Sequence, residues 1–355
     1  MKAAARRAVI ALAGVLAACG GSSAPSPVTS PSPSSARFDY NGLTHVSWWH
    51  DEYLYSGATV SRRALAATGS NWAGLLVTWY MERRDSSDFA EDLLKTPTDE
   101  AVAAAIRDLH GLGLKVMLKP HVDVMDGTWR GSMHPADVAR WFAAYRAFLV
   151  RYAALAEASG VEMLCVGTEL ATLSDARYGA EWRDVIAAVR AAYRGPLTYA
   201  ANANSPGDEY TSVSFWPLLD LPGLDVYTPL TGRSNPSREE LVRGWTSNRY
   251  GQNMVAAFKN WQASHGKPVI FTEIGYRSAD GTNLAPWDWA AAAPYDPGEQ
   301  ADCYAAAFTV WTSESPWMKG VFWWDWSVPP PGPSDTDYTP WGKPAEEVLR
   351  ARTHP

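Results

Sequence analysis

The chain has 355 residues, 46% of them hydrophobic and 19% charged, with a formal net charge of −7. That composition supplies the core of a soluble globular fold and excludes a mainly disordered chain. The acidic balance argues against nucleic acid or another polyanion as a partner and favours a neutral polymer or small molecule.

The chain opens with Lys2, Arg6 and Arg7, an apolar stretch from Ala8 to Ala18, and then Cys19, the layout of a bacterial export signal. The string Leu16-Ala17-Ala18-Cys19-Gly20 resembles the lipobox of bacterial lipoproteins, in which the signal is removed before a cysteine that then carries lipid. The resemblance implies a signal peptide over residues 1–18, lipidation at Cys19, and a protein held at the bacterial cell surface or in the periplasm. After Cys19, residues 20–36 are almost all Gly, Ser, Pro, Ala, Thr and Val, a composition that cannot bury a core, so residues 19–36 are predicted to be a flexible tether. The apolar run is far short of the roughly 20 residues a bilayer-spanning helix needs, and no later run is long enough. Membrane contact is therefore expected only through the anchor, and one globular domain, monomeric, is expected over residues 37–355.

From Arg37 onward no fixed repeat and no second linker interrupts the chain. Apolar, β-rich runs at 43–48, 73–80, 115–122, 162–168, 197–201, 224–227, 268–272 and 320–324 each read as a strand. Helical patterns rich in Ala, Leu and Arg lie between them, the clearest at 99–112, 135–159, 180–192, 238–265 and 297–312. Eight near-continuous apolar strands alternating with helices predict an α/β fold, a single (β/α)8 TIM barrel. A doubly wound open sheet is the alternative, and the lack of a Gly-rich phosphate loop after the first strand weighs against it. Cys165, inside an apolar strand, and Cys303, inside a predicted helix, read as buried thiols.

Chemistry in such a barrel collects at the carboxyl ends of the strands. There the sequence places Trp48 with Trp49, His50 and Asp51; Trp79 with Tyr80; Lys119, His121 and Asp123; Thr168 with Glu169; Asn202 and Asn204; Asp225 with Tyr227; Thr272 with Glu273; and Trp324 with Asp325 and Trp326. Glu169 and Glu273 each end an apolar run. An ionised carboxylate is costly to bury unless it is paired or used, so both are expected to face a cleft. Two carboxylates across one pocket are what glycosidic bond cleavage requires, one as proton donor and one as nucleophile or base. Trp outnumbers Phe 18 to 9, and flat, amphipathic indoles at cleft ends suit the C–H faces of pyranose rings better than they suit a core.

Glutamates ending the fourth and seventh of eight strands resemble clan A of the glycoside hydrolases, retaining (β/α)8 enzymes. Within that clan the strings LLVTWY at 75–80, MLKPHVDV at 117–124, VGTEL at 166–170, FTEIGY at 271–276 and GVFWWDW at 320–326 are similar to family 113, whose known members are mainly β-1,4-mannanases. The resemblance covers the chain from about Asp39 to its end. It implies Glu169 as general acid/base, Glu273 as nucleophile, Tyr227 hydrogen-bonded to the nucleophile, and Trp326 flooring the subsite of the reacting sugar. Most of the clan has Asn directly before the acid/base, where it binds the sugar 2-hydroxyl; this chain has Thr168. Thr168 itself, Asn202, Lys119 or His121 would then supply that contact, and Trp48, Trp79 and Trp324 would add aromatic surface. The expected partner is a neutral polysaccharide such as mannan or glucomannan, with no cofactor and no metal. Another β-glycanase or an exo-β-glycosidase of the same clan fits the same residues. Two readings from other classes compete: a metal-dependent hydrolase using His45, His50, Asp51, His121 and Asp123, and a surface lipoprotein that binds glycans without cleaving them.

Overall fold

The structure is a computed structural model that describes residues 38–353. The signal peptide at 1–18, the Cys19 lipidation site and the 19–36 tether lie outside the described residues. Eight parallel strands close into a barrel in sequence order: β1 (Tyr40–His45), β2 (Trp72–Met81), β3 (Lys115–Val124), β4 (Met163–Thr168), β5 (Leu197–Asn202), β6 (Leu221–Val226), β7 (Val269–Ile274) and β8 (Met318–Trp326). The helices are α1 (Ser56–Ala67), α2 (Asp99–Gly111), α3 (Val138–Ser159), α4 (Gly179–Ala192), α5 (Arg238–Gly244), α6 (Met254–His265), α7 (Pro297–Trp311) and α8 (Pro344–Thr353). The predicted (β/α)8 barrel is thus the observed fold. Among the described residues no helix is long and apolar enough to cross a membrane.

Two departures from the predicted elements have local causes. The single helix expected over 238–265 is two, α5 and α6. Asn253 caps α6 by accepting a hydrogen bond from the Ala256 amide, and Gly251 just before it turns the chain at φ 73°, a left-handed backbone that Gly adopts without a Cβ penalty. Between β5 and β6 the chain forms only short 3-10 turns, Glu209–Thr211 and Trp216–Leu218. Elsewhere local signals set the helix ends: Thr98 caps α2, Asp137 caps α3, Ser237 and Glu240 form a capping box on α5, and Asp296 with Pro297 starts α7.

The main apolar core lies between strands and helices, where α3 contributes Trp141, Phe142, Tyr145, Phe148 and Tyr152. A second, smaller cluster of Trp72, Met117, Met163, Leu221, Ile270 and Phe322 plugs the barrel interior. Period-two alternation along β3 carries that interior upward from apolar to polar: Met117 sits in the plug, and Lys119 and His121, buried at 0% and 1% exposure, follow on the same side. Charge therefore begins one layer above a dry floor, at the carboxyl ends of the strands. Cys165 and Cys303 are buried free thiols, and burial pushes the Cys165 pKa up to about 11.

Candidate active site

Glu169 directly follows β4 with φ 48°, a left-handed conformation costly for a residue with a Cβ and a common mark of functional positions. Its amide donates to the Ala200 carbonyl at 2.7 Å, and the next amide, Leu170, donates to the Tyr199 hydroxyl at 2.9 Å. Those two bonds hold the strained turn. The carboxylate, 8% exposed, accepts from Asn202 Nδ2 at 2.9 Å, Trp129 Nε1 at 3.2 Å and Arg130 Nη1 at 3.4 Å. Asp123 steadies Arg130 at 2.7 Å. Burial opposes the Arg130 charge, but the carboxylates of Asp123 and Glu169 raise its pKa overall.

Glu273, on β7, is 4% exposed and accepts from the Tyr227 hydroxyl at 2.6 Å. Burial, followed by the Glu273 charge, raises the Tyr227 pKa well above that of a free phenol, so Tyr227 keeps its proton and donates. The Lys119 ammonium bonds Glu273 Oε1 and also Asp225 at 3.3 Å. Burial works against the Lys119 charge, and Asp225 with Glu273 more than offsets it, leaving its pKa raised. Asp225, fully buried, accepts from Thr272 Oγ1 at 2.6 Å; burial and the Glu273 charge raise its pKa far above the usual carboxylate range. Gly275 lets this end of β7 lie against β8, since a Cβ there would sit 2.5 Å from the Trp324 carbonyl oxygen.

The remaining sequence candidates divide. Trp324 is half-buried, stacks parallel to His121 at 6.3 Å, and meets Trp48 edge-on at 6.4 Å. His121 has no hydrogen-bond partner among the described residues, and burial lowers its pKa well below 6.5. Thr168 is 2% exposed, and its hydroxyl likewise lacks a partner among the described residues. Asn202, one strand over on β5, is the amide that reaches Glu169. Three expectations need correction. Trp326 is fully buried, donating from Nε1 to Ser61 at 3.0 Å and stacking on Trp341 at 5.4 Å, so it floors no subsite. Strict alternation puts Trp324 and Trp326 on one face, but the register passes from Leu43↔Trp323 to His45↔Trp326; the extra residue on β8 reverses the parity. Trp79 points outward, donating to Tyr152 at 2.9 Å and packing on Phe148 at 5.1 Å. Lys119 has no exposed surface and is engaged by Glu273 and Asp225 instead of facing a sugar.

Several site residues escaped sequence reading. Trp129 and Arg130 follow β3 in a loop with no periodic signal, and Glu209 sits in the helix-free β5–β6 connection. Glu209 accepts from Tyr199 at 2.5 Å, the Asn202 amide at 2.8 Å and Ser174 at 2.7 Å, so it fixes the strand end that presents Asn202. Burial pushes its pKa up to about 7 despite these bonds. Asp225, which the sequence already placed at the sixth strand's end, is the buried second partner of Lys119. Of the residues of the metal-hydrolase reading, His45 is buried against the Trp326 carbonyl at 3.1 Å, Asp123 is paired with Arg130, and His50 lies 3.8 Å from Asp51.

The family model for Glycoside Hydrolase Family 113 matches residues 45–343. Among solved structures the chain is similar to a family 113 β-mannanase from Alicyclobacillus acidocaldarius in complex with ManMIm, at 31% identity and TM-score 0.79, over 89% of this chain and 97% of that one. A second structure, of a family 113 β-1,4-mannanase, aligns at 26% identity and TM-score 0.78, over 89% of this chain and 99% of that one. A third, a complex of a family 113 β-1,4-mannanase, gives 28% identity and TM-score 0.75, again over 89% and 99%. No curated protein sequence matched.

Proposed function

The chain belongs to glycoside hydrolase family 113, and from that premise we propose that it is an endo-acting β-1,4-mannanase in which Glu273 is the nucleophile and Glu169 the acid/base. The observation that carries the division of roles is the environment of the two carboxylates. Glu273 is held from both sides, by the Tyr227 hydroxyl and the Lys119 ammonium, which fixes one oxygen for in-line attack on an anomeric carbon. Glu169 hangs from a strained turn with its oxygens on amide, indole and guanidinium donors, at the edge of the mouth where a leaving oxygen departs.

In the first step Glu169 gives its proton to the glycosidic oxygen while Glu273 forms the glycosyl ester. In the second, ionised Glu169 takes a proton from water, and the water opens the ester with net retention. Asn202 stands beside Glu169 on β5, and its amide supports a contact to the sugar 2-hydroxyl in place of Thr168. Exposed indoles on two sides of the mouth, Trp129 after β3 and Trp48 after β1, at 49% and 42% exposure, support binding of sugar units on both sides of the cleaved bond, as internal cleavage requires. The mannanase relatives support mannan as the polymer. The N-terminal sequence supports export and anchoring through Cys19, which metabolic labelling with a fatty acid would detect and a Cys19→Ala change would remove.

Incubation of the purified domain with mannan, glucomannan, cellulose and xylan tests the substrate. Release of new reducing ends from mannan and glucomannan, with a rapid fall in mannan viscosity, is expected. Activity confined to cellulose or xylan would overturn the assignment.

A further inference from the structure

Glu209, in the connection between β5 and β6, is a buried carboxylate with no part in the double displacement itself. It is 7% exposed, and every hydrogen bond its side chain makes among the described residues is donated to it. Oε1 accepts from Ser174 Oγ at 2.7 Å and from the Tyr199 hydroxyl at 2.5 Å, and Oε2 accepts from the Asn202 amide at 2.8 Å. These three donors lead to the two sides of Glu169. The Tyr199 hydroxyl accepts from the Leu170 amide at 2.9 Å, and the Leu173 and Ser174 amides both close onto the Leu170 carbonyl at 2.7 Å. The chain from Leu170 to Ser174 is therefore a tight turn tied at both ends to one carboxylate. Asn202 is the residue whose Nδ2 reaches Glu169 Oε1 at 2.9 Å, so the same carboxylate also sets the strand end from which that amide extends.

Glu209 is itself firmly seated. Its neighbour Tyr210, 2% exposed, meets Phe258 and Trp261 edge-on at 5.4 and 5.2 Å, and an antiparallel bridge between Asp175 and Val213 links the loop after β4 to the same connection. Tyr199 is fully buried and lies so close to β4 that a Cβ at Gly167 would sit 2.7 Å from its ring. A left-handed residue that carries a side chain persists only where its surroundings over-determine it, and Glu169 has φ 48°. A general acid must also hold its oxygen within hydrogen-bond reach of the atom it protonates, and a misplacement of about 1 Å can cost about 10²-fold in rate. A buried carboxylate that joins the strained turn to the amide partner meets both demands. An apolar side chain filling the same space would meet neither.

We propose that Glu209 is a positioning residue for the acid/base: through Tyr199 and Ser174 it fixes the backbone of the Glu169 turn, and through the Asn202 amide it fixes the side chain that bonds the Glu169 carboxylate. The proposal rests on the glycosidase reading and adds the residue that aims its proton. Dependence on the leaving group is the readout, because a dinitrophenolate departs without a proton whereas a phenol needs one. The kcat/KM of a phenyl and a dinitrophenyl β-bioside of the accepted configuration is measured, and their ratio, phenyl over dinitrophenyl, is compared between variants. Glu209→Gln keeps the size but turns an N–H pair towards donors, and Tyr199→Phe removes only the hydroxyl. In each the ratio should fall about tenfold below that of the unmodified enzyme. A role confined to folding would lower both rates together, so a ratio unmoved in both variants overturns the proposal. In a Glu169→Ala background no acid is left to aim, and adding Tyr199→Phe should leave the ratio unchanged; a further tenfold fall there overturns the proposal too. Glu169→Ala alone separates the two levels. If it lowers the ratio while Glu209→Gln and Tyr199→Phe do not, only the positioning role falls, whereas a ratio that Glu169→Ala leaves unmoved defeats the acid/base assignment and the proposal with it.

Discussion

Glu169 and Glu273 end two strands of one barrel, yet the protein treats them as different chemical objects. Glu273 sits within β7, where the pairing register shifts against both neighbouring strands, and is locked by a phenol, an ammonium and the ammonium's second partner, Asp225, all buried. Glu169 sits past the end of β4 on a left-handed turn, and its partners include Trp129 and Arg130 from a loop. In the proposed roles the nucleophile needs a fixed trajectory, and buried partners on both carboxylate oxygens supply one. An acid/base must exchange protons with a leaving oxygen and then with water, and loop-borne partners at the mouth suit that traffic. In the proposed assignment, identical side chains acquire distinct roles from what surrounds them.

The sharpest way to break this contrast is to remove each carboxyl and offer azide. Glu273→Gln should lower kcat by roughly 10⁴-fold or more, and azide rescue of a Glu273→Ala variant should give the α-glycosyl azide. Glu169→Ala should lose about 10²- to 10⁴-fold on natural linkages, less on aryl glycosides with acidic leaving groups, and azide should then give the β-glycosyl azide. Product stereochemistry read by NMR separates the two. Next in size is the buried charge under the nucleophile. Lys119→Met leaves Asp225 and Glu273 buried without their cation, so a loss of about 3–5 kcal/mol in urea unfolding is expected, together with a fall in kcat.

The two tryptophans of β8 sharpen the contrast between wall and core. Trp326→Ala should cost about 3–5 kcal/mol of stability as a core deletion. Trp324→Ala should shift Tm less while lowering kcat/KM, and a reversal of that order would return Trp326 to the cleft. The smallest expected effect concerns Glu209. Its folded pKa near 7 lies above the ordinary carboxyl value, so the folded state binds more protons, and stability should fall as pH rises from about 4.5 through 7. Glu209→Gln should flatten that part of the Tm-against-pH curve.

Much of this was legible in the sequence because barrel strands are short, buried on both faces and continuous in their apolar pattern. All eight stood out, and so did Glu169, Glu273, Tyr227 and Asn202 at their ends. Alternation accounts for Lys119 and His121 above Met117 and for Trp79, which follows Ala73, Leu75 and Val77 on the helix side, but it breaks at Trp326, where one extra residue in β8 reverses the faces. Loop residues such as Trp129, Arg130 and Glu209 carry no periodic signal, because nothing about a turn's sequence states which strand end it folds over. The split between α5 and α6 turns on Gly251 and Asn253, a local stop inside an otherwise continuous helical pattern.

Trapping the intermediate tests the central assignment most directly. The enzyme is incubated with a 2-deoxy-2-fluoro glycosyl fluoride of the accepted configuration, digested, and mapped by mass spectrometry. A single glycosyl label on Glu273 is the expected result. A label on Glu169 or on any other carboxylate would contradict it.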